Sequence, residues 1–171
     1  PIVENINLSL LLPMFIPEEV RQWSENGKKF FGDIFSYNVL SASKLVNDLV
    51  RGEKRKVDII VSHDWLGCIG GILSSKGLNK PLVFHMHSTE QGRSGDGSDT
   101  IKRLEKMAAD NAERVVTVSY AMRDHLVRLG YDEKKIRVVH NGIDTEKYSP
   151  ERVSPEEARN MRERLGIGED E

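Results

Sequence analysis

The chain has 171 residues, of which 38% are hydrophobic and 30% charged, and its 25 basic against 27 acidic side chains leave a formal net charge of −2. This composition is ordinary for a soluble globular domain and gives no reason to expect a nucleic-acid partner, so a sugar or small metabolite fits better. The apolar runs are too short to span a bilayer and no signal-peptide pattern is present, which predicts a cytoplasmic protein without a membrane partner. Cys68 is the only cysteine, and its apolar neighbours predict a buried, unreactive thiol.

The N-terminal third predicts one clear helix. The first 35 residues contain three prolines and an uneven hydrophobic pattern, unlike the compact opening of a doubly wound domain. Apolar residues then recur at helical spacing over Phe35–Arg51, and Gly52 follows as a stop signal. We therefore expect residues 1–56 to be an incomplete N-terminal portion whose helix packs on a sheet.

Strand-like and helix-like segments alternate from Val57 onward. The predicted strands are short runs of apolar or β-branched residues, at Val57–Ser62, Leu82–Met86, Arg114–Ser119 and Ile136–His140. The segments of helical length between them are Trp65–Lys76, Thr100–Ala112 and Tyr120–Leu129. This alternation predicts an α/β fold with a parallel, Rossmann-like sheet and helices on both faces. Gly92–Thr100, rich in Gly and Ser, predicts a flexible loop that Ser98 or Asp99 closes as a helix cap.

The last twenty residues predict one further helix. Ser154 and Glu157 form a capping-box pattern with Pro155 at the first helical position, and Gly166 is placed to end the helix. We expect residues 57–150 to hold the βα units with the site loops, and residues 151–171 to lead toward a further domain.

Polar residues follow each predicted strand, and the carboxyl ends of parallel strands are where ligands bind in open α/β sheets. His85 and His87 are two residues apart, so their imidazoles face the same side. Asp64 either caps the next helix or binds a hydroxyl, Ser119 suits a helix cap, and Asn141 serves either a tight turn or a sugar hydroxyl.

A metal site is one interpretation of the second strand end. His85 and His87, with an oxygen ligand from Asp64, resemble the ligand set of a metal hydrolase. The competing interpretation is that His85 faces the core, hydrogen-bonded to backbone, while His87 stands alone at the rim.

Four motifs at the ends of the predicted strands, taken in order, resemble those of a known protein family. They are Ser62-His63-Asp64-Trp65-Leu66, Val83–Arg93, Val116-Thr117-Val118-Ser119, and Asn141-Gly142-Ile143-Asp144 followed by Tyr148. In their order and intervals they resemble retaining nucleotide-sugar glycosyltransferases of the two-Rossmann (GT-B) type, most closely bacterial and archaeal glycogen or starch synthases. The resemblance covers about Val57–Gly166, the latter half of that family's N-terminal domain.

The resemblance implies transfer of a glucosyl unit from UDP-glucose or ADP-glucose, as substrate, to an α-glucan acceptor. By position it implies His87 as the catalytic residue beside the transferred sugar, and Asp64, Ser88 and Asn141 as substrate-binding residues. It implies no cofactor and no metal. It also implies a C-terminal domain of the same protein as partner, so we expect this chain alone to be inactive.

Several departures and alternatives stay open. The family's glycine-rich phosphate loop has no counterpart, and the family more often has a small or hydroxyl residue at position 85. Two glutamates separated by seven intervening residues are a family signature in the other domain. They occur here as Glu105 with Glu113 and Glu163 with Glu171, for which we expect surface or capping roles. The alternatives are a mannosyl- or sucrose-type hexosyltransferase and a carbohydrate-binding module without catalysis.

Overall fold

Four short parallel strands carry the structure. The computed structural model describes residues 5, 7, 9 and 16–168, and within them the strands are β1 (Ile60–His63), β2 (Leu82–Met86), β3 (Arg114–Thr117) and β4 (Ile136–Val138), paired in the order β1-β2-β3-β4. All three pairings are parallel. The α/β, Rossmann-like fold predicted from the sequence is confirmed.

Helices connect and cover the strands. They are α1 (Pro17–Gln22), α2 (Glu25–Ser43), α3 (Asp64–Leu78), α4 (Glu90–Ser94), α5 (Asp99–Asn111), α6 (Tyr120–Arg128) and α7 (Pro155–Leu165). A π-helical segment, Lys44–Gly52, continues α2, and short 3₁₀ turns span Glu133–Lys135 and Pro150–Arg152. None of the helices in the part of the chain that the structure describes is long and apolar enough to cross a membrane.

The main core lies between the sheet and the helices α3 and α5. Alternate residues of β2, namely Leu82, Phe84 and Met86, are fully buried, as strand periodicity requires for a face covered by helices. On the opposite face β1 is more open, because Val61 is 50% exposed.

The predicted packing helix exists and is longer than its apolar pattern. Ser24 caps α2 by accepting a hydrogen bond from Gly27 N at 3.1 Å, so the helix begins ten residues before Phe35. Buried Asn38 joins α2 to α3: its amide donates to Leu66 O at 2.7 Å and accepts from Gly70 N at 2.7 Å. These bonds satisfy a side chain that would otherwise be costly to bury.

The chain forms two compact units, residues 1–140 and residues 141–171. In the second, α7 has the predicted capping box: Ser154 Oγ accepts from Glu157 N at 3.2 Å, and Glu157 Oε2 accepts from Ser154 N at 3.0 Å. Gly166 ends the helix in the left-handed conformation, with φ +69°. The three-part division into 1–56, 57–150 and 151–171 stays a prediction.

Candidate functional site

Three histidines converge where β1 and β2 end. The sheet register pairs His63 with His85, and His87 follows two residues later on the same side. The ring centroids lie 4.2 Å apart for His85 and His87, 4.9 Å for His63 and His85, and 5.4 Å for His63 and His87. His63 Nδ1 and His87 Nε2 are 3.1 Å apart and share a hydrogen bond. The predicted convergence of His85 with His87 is confirmed. The sequence did not predict that His63 joins them, and it does so because the register of β1 against β2 pairs it with His85.

His85 differs from the core histidine that the sequence also allowed. It is half-buried, and its Nε2 atom is buried without a hydrogen-bond partner among the described residues, so no backbone group satisfies that nitrogen. Burial, together with the neighbouring charges of His87 and His63, lowers the pKa of His85, and only Asp64 opposes the shift. This shift favours the neutral form of the ring.

Asp64 connects the two strand ends. It has φ +48° at the first residue of α3, and its Oδ1 accepts hydrogen bonds from His87 N at 2.8 Å and Ser88 N at 3.4 Å. Of the two roles that the sequence left open for Asp64, capping of its own helix is wrong, because the cap position belongs to His63 and has no side-chain bond. The carboxylate instead fixes the backbone that presents His87. The role of Asp64 toward substrate stays a prediction.

Arg93 holds the loop that follows β2. Its guanidinium donates to Ser88 Oγ at 2.5 Å, to Glu90 Oε2 at 3.1 Å and to Glu105 Oε1 at 3.2 Å. Ser88 is thus engaged by Arg93 within the protein, and its role toward substrate stays a prediction. Arg93 is the last residue of the second sequence motif, but its role could not be predicted from that position. The structure shows that it joins Ser88, Glu90 and Glu105.

Glu105 is buried, which corrects the expected surface role, while its carboxylate caps the first N–H group of α4. Its side chain is 3% exposed, and its two oxygens accept from Glu90 N at 2.9 and 3.1 Å. Burial raises the pKa of Glu105 to about 7, although the Glu90 N–H and Arg93 oppose the shift. Glu113 and Glu163 are exposed, as expected, and Glu171 lies outside the described residues.

The segment Gly92–Thr100 is more ordered than the predicted flexible loop. It begins inside α4 and ends inside α5, with Ser98 capping α5 as predicted. Between the helices, Glu90 Oε1 accepts from Ser98 N at 3.0 Å, and a Cβ at Gly97 would stand 2.8 Å from Glu90 Cγ. A buried carboxylate therefore fastens the segment, and Gly97 permits its close approach.

Three further predictions fall on the remaining residues. Ser119 caps α6 by accepting from Met122 N at 3.1 Å, and Cys68 is fully buried with a raised thiol pKa, caused mainly by burial, so both predictions are confirmed. Asn141 is exposed and begins the second unit, so its substrate role stays a prediction.

The strand ends also present a set of metal-ligating atoms. One ring nitrogen from each of His63, His85 and His87 lies within 4.8 Å of the others. This grouping contains His63 where the sequence suggested Asp64, whose carboxylate instead accepts backbone hydrogen bonds. Chemically, the site offers imidazoles that hydrogen-bond a ligand or coordinate a cation, on a backbone fixed by Asp64.

Comparison with known proteins places this arrangement in context. Alr3699/HepE from Anabaena, solved in complex with UDP, superposes with a TM-score of 0.56 and 24% identity, covering 73% of this chain and 32% of that one. This likeness shows the fold.

Sequence relatives extend the comparison. An uncharacterised glycosyltransferase, MJ1607, of Methanocaldococcus jannaschii is 31% identical over 68% of the chain and 31% of its own length. An alpha-maltose-1-phosphate synthase of Mycolicibacterium smegmatis is 32% identical over 58% and 28%. A glycogen synthase of Mycobacterium tuberculosis is 30% identical over 53% and 23%. The chain thus spans less than a third of the length of the curated relatives it matches.

The profile of Glycosyltransferase Family 4 matches residues 15–147, a range that includes all four strands and the three histidines. Because this match covers well over half of the sequence, it establishes the family. The chain belongs to Glycosyltransferase Family 4.

Proposed function

We propose that this chain forms part of a retaining glycosyltransferase that moves glucose from UDP-glucose or ADP-glucose to an α-glucan acceptor, with His87 beside the transferred sugar. The observation that carries the proposal is the hydrogen bond that His87 N donates to Asp64 Oδ1 at the carboxyl ends of β1 and β2, in a chain of this family. Ligands of open α/β sheets bind at that edge.

The transition state of glycosyl transfer explains why His87 is held so firmly. It resembles an oxocarbenium ion, so the protein has to orient hydroxyls and stabilise positive charge as that charge develops. Asp64 fixes the peptide of His87, and the hydrogen bond to His63 fixes its ring. A side chain fixed at both ends keeps its geometry without reorganising during the reaction.

The proposed identities of the donor and the acceptor are supported by the names of similar proteins. The solved Anabaena protein holds UDP, which favours a uridine nucleotide sugar. Two relatives of similar identity are named for different products, maltose-1-phosphate and glycogen, and both names favour a glucosyl donor. A mannosyl- or sucrose-type transferase is the alternative, because no described side chain distinguishes one hexose from another.

The test uses the full-length parent protein with labelled UDP-glucose or ADP-glucose and a malto-oligosaccharide. We expect His87→Ala to reduce kcat at least about 100-fold, the loss typical of removing a charge-stabilising group. His140→Ala is the matched control: His140 is exposed and bonds Val118 O, away from the cluster, so it should retain wild-type kcat. Incorporation from neither donor would refute the glucan assignment.

Asp64 variants test positioning separately. Asp64→Ala removes the acceptor of the His87 N–H, whereas Asp64→Asn keeps an oxygen at Oδ1. We expect kcat to fall by about 10- to 100-fold in Asp64→Ala, with substantial recovery in Asp64→Asn. Equal losses in both variants would contradict the hydrogen-bond role and point to the charge of Asp64.

A further inference from the structure

The three imidazoles at the ends of β1 and β2 have nearly the spacing of a zinc site. Their nearest nitrogens lie within 4.8 Å of one another. Bonds of about 2.0–2.1 Å in a tetrahedral zinc site put ligand nitrogens about 3.4 Å apart. His63 Nδ1 and His87 Nε2, at 3.1 Å, are already close to that separation. The third nitrogen lies within 4.8 Å of the other two and has to move closer to them when a metal binds.

The chemistry of the donors favours a divalent transition metal. Three neutral nitrogen ligands suit Zn²⁺ and its neighbours, whereas Mg²⁺ and Ca²⁺ require oxygen ligands. His85 has a buried Nε2 without a partner among the described residues, and coordination by this nitrogen would satisfy it. The Asp64 carboxylate next to the cluster lowers the electrostatic cost of placing a cation there.

The backbone that carries the ligands is fixed before any metal arrives. His63 and His85 are paired residues of adjacent strands, and His87 is held through its own N–H by Asp64. His63 and His87 are exposed, so an ion and a completing water reach them from solvent. We propose that His63, His85 and His87 together bind one Zn²⁺ ion, or a closely related divalent transition metal, with water in the fourth position.

This metal site has a regulatory consequence that rests on the proposed function. Coordination occupies the His87 ring, which in the proposed reaction lies against the transferred sugar. Metal and donor sugar therefore exclude one another, and Zn²⁺ acts as an inhibitor of transfer. Coordination replaces the hydrogen bond between His63 Nδ1 and His87 Nε2: the proton of that bond passes, through solvent, to the other nitrogen of the same ring, so each imidazole stays neutral and no covalent bond of the carbon skeleton changes.

Binding is measured on the 171-residue chain by titrating Zn²⁺ in competition with a chromophoric chelator, with Mg²⁺ as the negative probe. We expect one equivalent of Zn²⁺ for the wild type and for His140→Ala. His63→Ala and His85→Ala should each weaken binding by more than about 100-fold, since loss of a ligand exceeds the 10- to 100-fold cost of losing an outer-shell partner. Co²⁺ should give the visible spectrum of a tetrahedral nitrogen site.

Circular dichroism establishes that each variant is folded. His63 is exposed, so its substitution should disturb the fold less than substitution of the half-buried His85. The proposal is overturned if the wild type takes up no Zn²⁺ at micromolar concentration, or if folded His63→Ala binds as tightly as the wild type.

Inhibition is measured on the full-length parent, comparing each variant with its own metal-free rate. Zn²⁺ should inhibit the wild type and His140→Ala, and inhibit His85→Ala only at more than about 100-fold higher concentration. An active parent that binds Zn²⁺ and is not inhibited would refute the competition. A parent that is inactive with every donor would refute the proposed function, while the titration still decides the metal site.

Discussion

Glu105 is a buried carboxyl group whose proton should make stability depend on pH. Burial raises its pKa from 4.5 to about 7, so between these values the folded chain holds a proton that the unfolded chain releases. The stabilisation of the folded chain that comes from holding this proton on Glu105 is therefore fully present below pH 4.5. It is lost as the pH rises through about 7. Its upper limit is about 3 kcal/mol. Glu90 and Arg93 face the carboxyl and belong to the same cluster.

The measurement is denaturant unfolding of the wild type and of Glu105→Gln across this pH range. We expect the stability of the wild type, relative to the variant, to fall as pH rises, because the amide does not titrate. Glu113→Gln, at an exposed carboxylate, controls for the loss of one negative charge. A wild-type minus Glu105→Gln difference that is constant with pH, or that grows with it, would contradict the assignment.

For single residues, the sequence predicted a contact correctly where both partners lie on one strand. The pleat fixes His85 and His87 on one face whatever the tertiary structure. His63 joins them only through the register of β1 against β2, which no local pattern specifies. Glu105 was misjudged because its partners, Glu90 and Arg93, lie 15 and 12 residues away and become neighbours only when α4 and α5 meet.

At the scale of elements, α3 lies so close to β1 that a side chain would not fit between them. A Cβ at Gly71 would stand 2.7 Å from both Cβ and Oγ of Ser62 and 3.2 Å from Leu82 Cδ1. We expect Gly71→Ala to destabilise the chain by about 1–3 kcal/mol, the usual cost of overpacking a core. Gly32→Ala, exposed within α2 with nothing within 4 Å, should instead stabilise by about 0.5–1 kcal/mol.

Both glycine variants are measured by chemical denaturation at one pH. Opposite signs are expected because helix propensity favours alanine equally in both, so the difference isolates the contact between α3 and β1. If Gly71→Ala were as stable as Gly32→Ala, the sheet and α3 would have to be further apart than described.

The periodic pattern of apolar residues predicted the start or end of a helix correctly only where the pattern begins or ends at the same place as the helix. The start of α2 was missed by ten residues because the Ser24 cap sets it, whereas the predicted apolar pattern begins only at Phe35. The segment after α4 was expected to be flexible because Gly and Ser dominate it. It is ordered by Glu90, a single buried carboxylate outside the low-complexity stretch.

At the scale of the whole molecule, the order of the strand-end motifs predicted the α/β fold and a glycosyltransferase of the GT-B type, because the first three motifs lie at the carboxyl ends of β1, β2 and β3 in one parallel sheet, where ligands of such folds bind. The acceptor could not be predicted in this way. Relatives of 32% and 30% identity carry names with different products, so similarity at this level does not specify the acceptor.

The chain spans less than a third of the length of its relatives, and this leads to a final prediction about activity. Glycosyl transfer requires a cleft that excludes water and holds the donor's charged diphosphate while the sugar is attacked. The chain corresponds to 28% of the maltose-1-phosphate synthase and 23% of the glycogen synthase. We therefore expect the isolated chain to transfer no glucose from UDP-glucose or ADP-glucose to a malto-oligosaccharide under conditions where the parent does.

The comparison is made with equal molar amounts of chain and parent, after circular dichroism has shown that the chain is folded. His87→Ala in the isolated chain is the background control, since any true turnover should depend on the side chain that the proposal places at the sugar. Turnover by the wild-type chain above that background would mean that the strand ends around His63, Asp64 and His87 suffice for catalysis. The remainder of the protein would then contribute affinity for the donor, which would appear as a change in KM with kcat conserved.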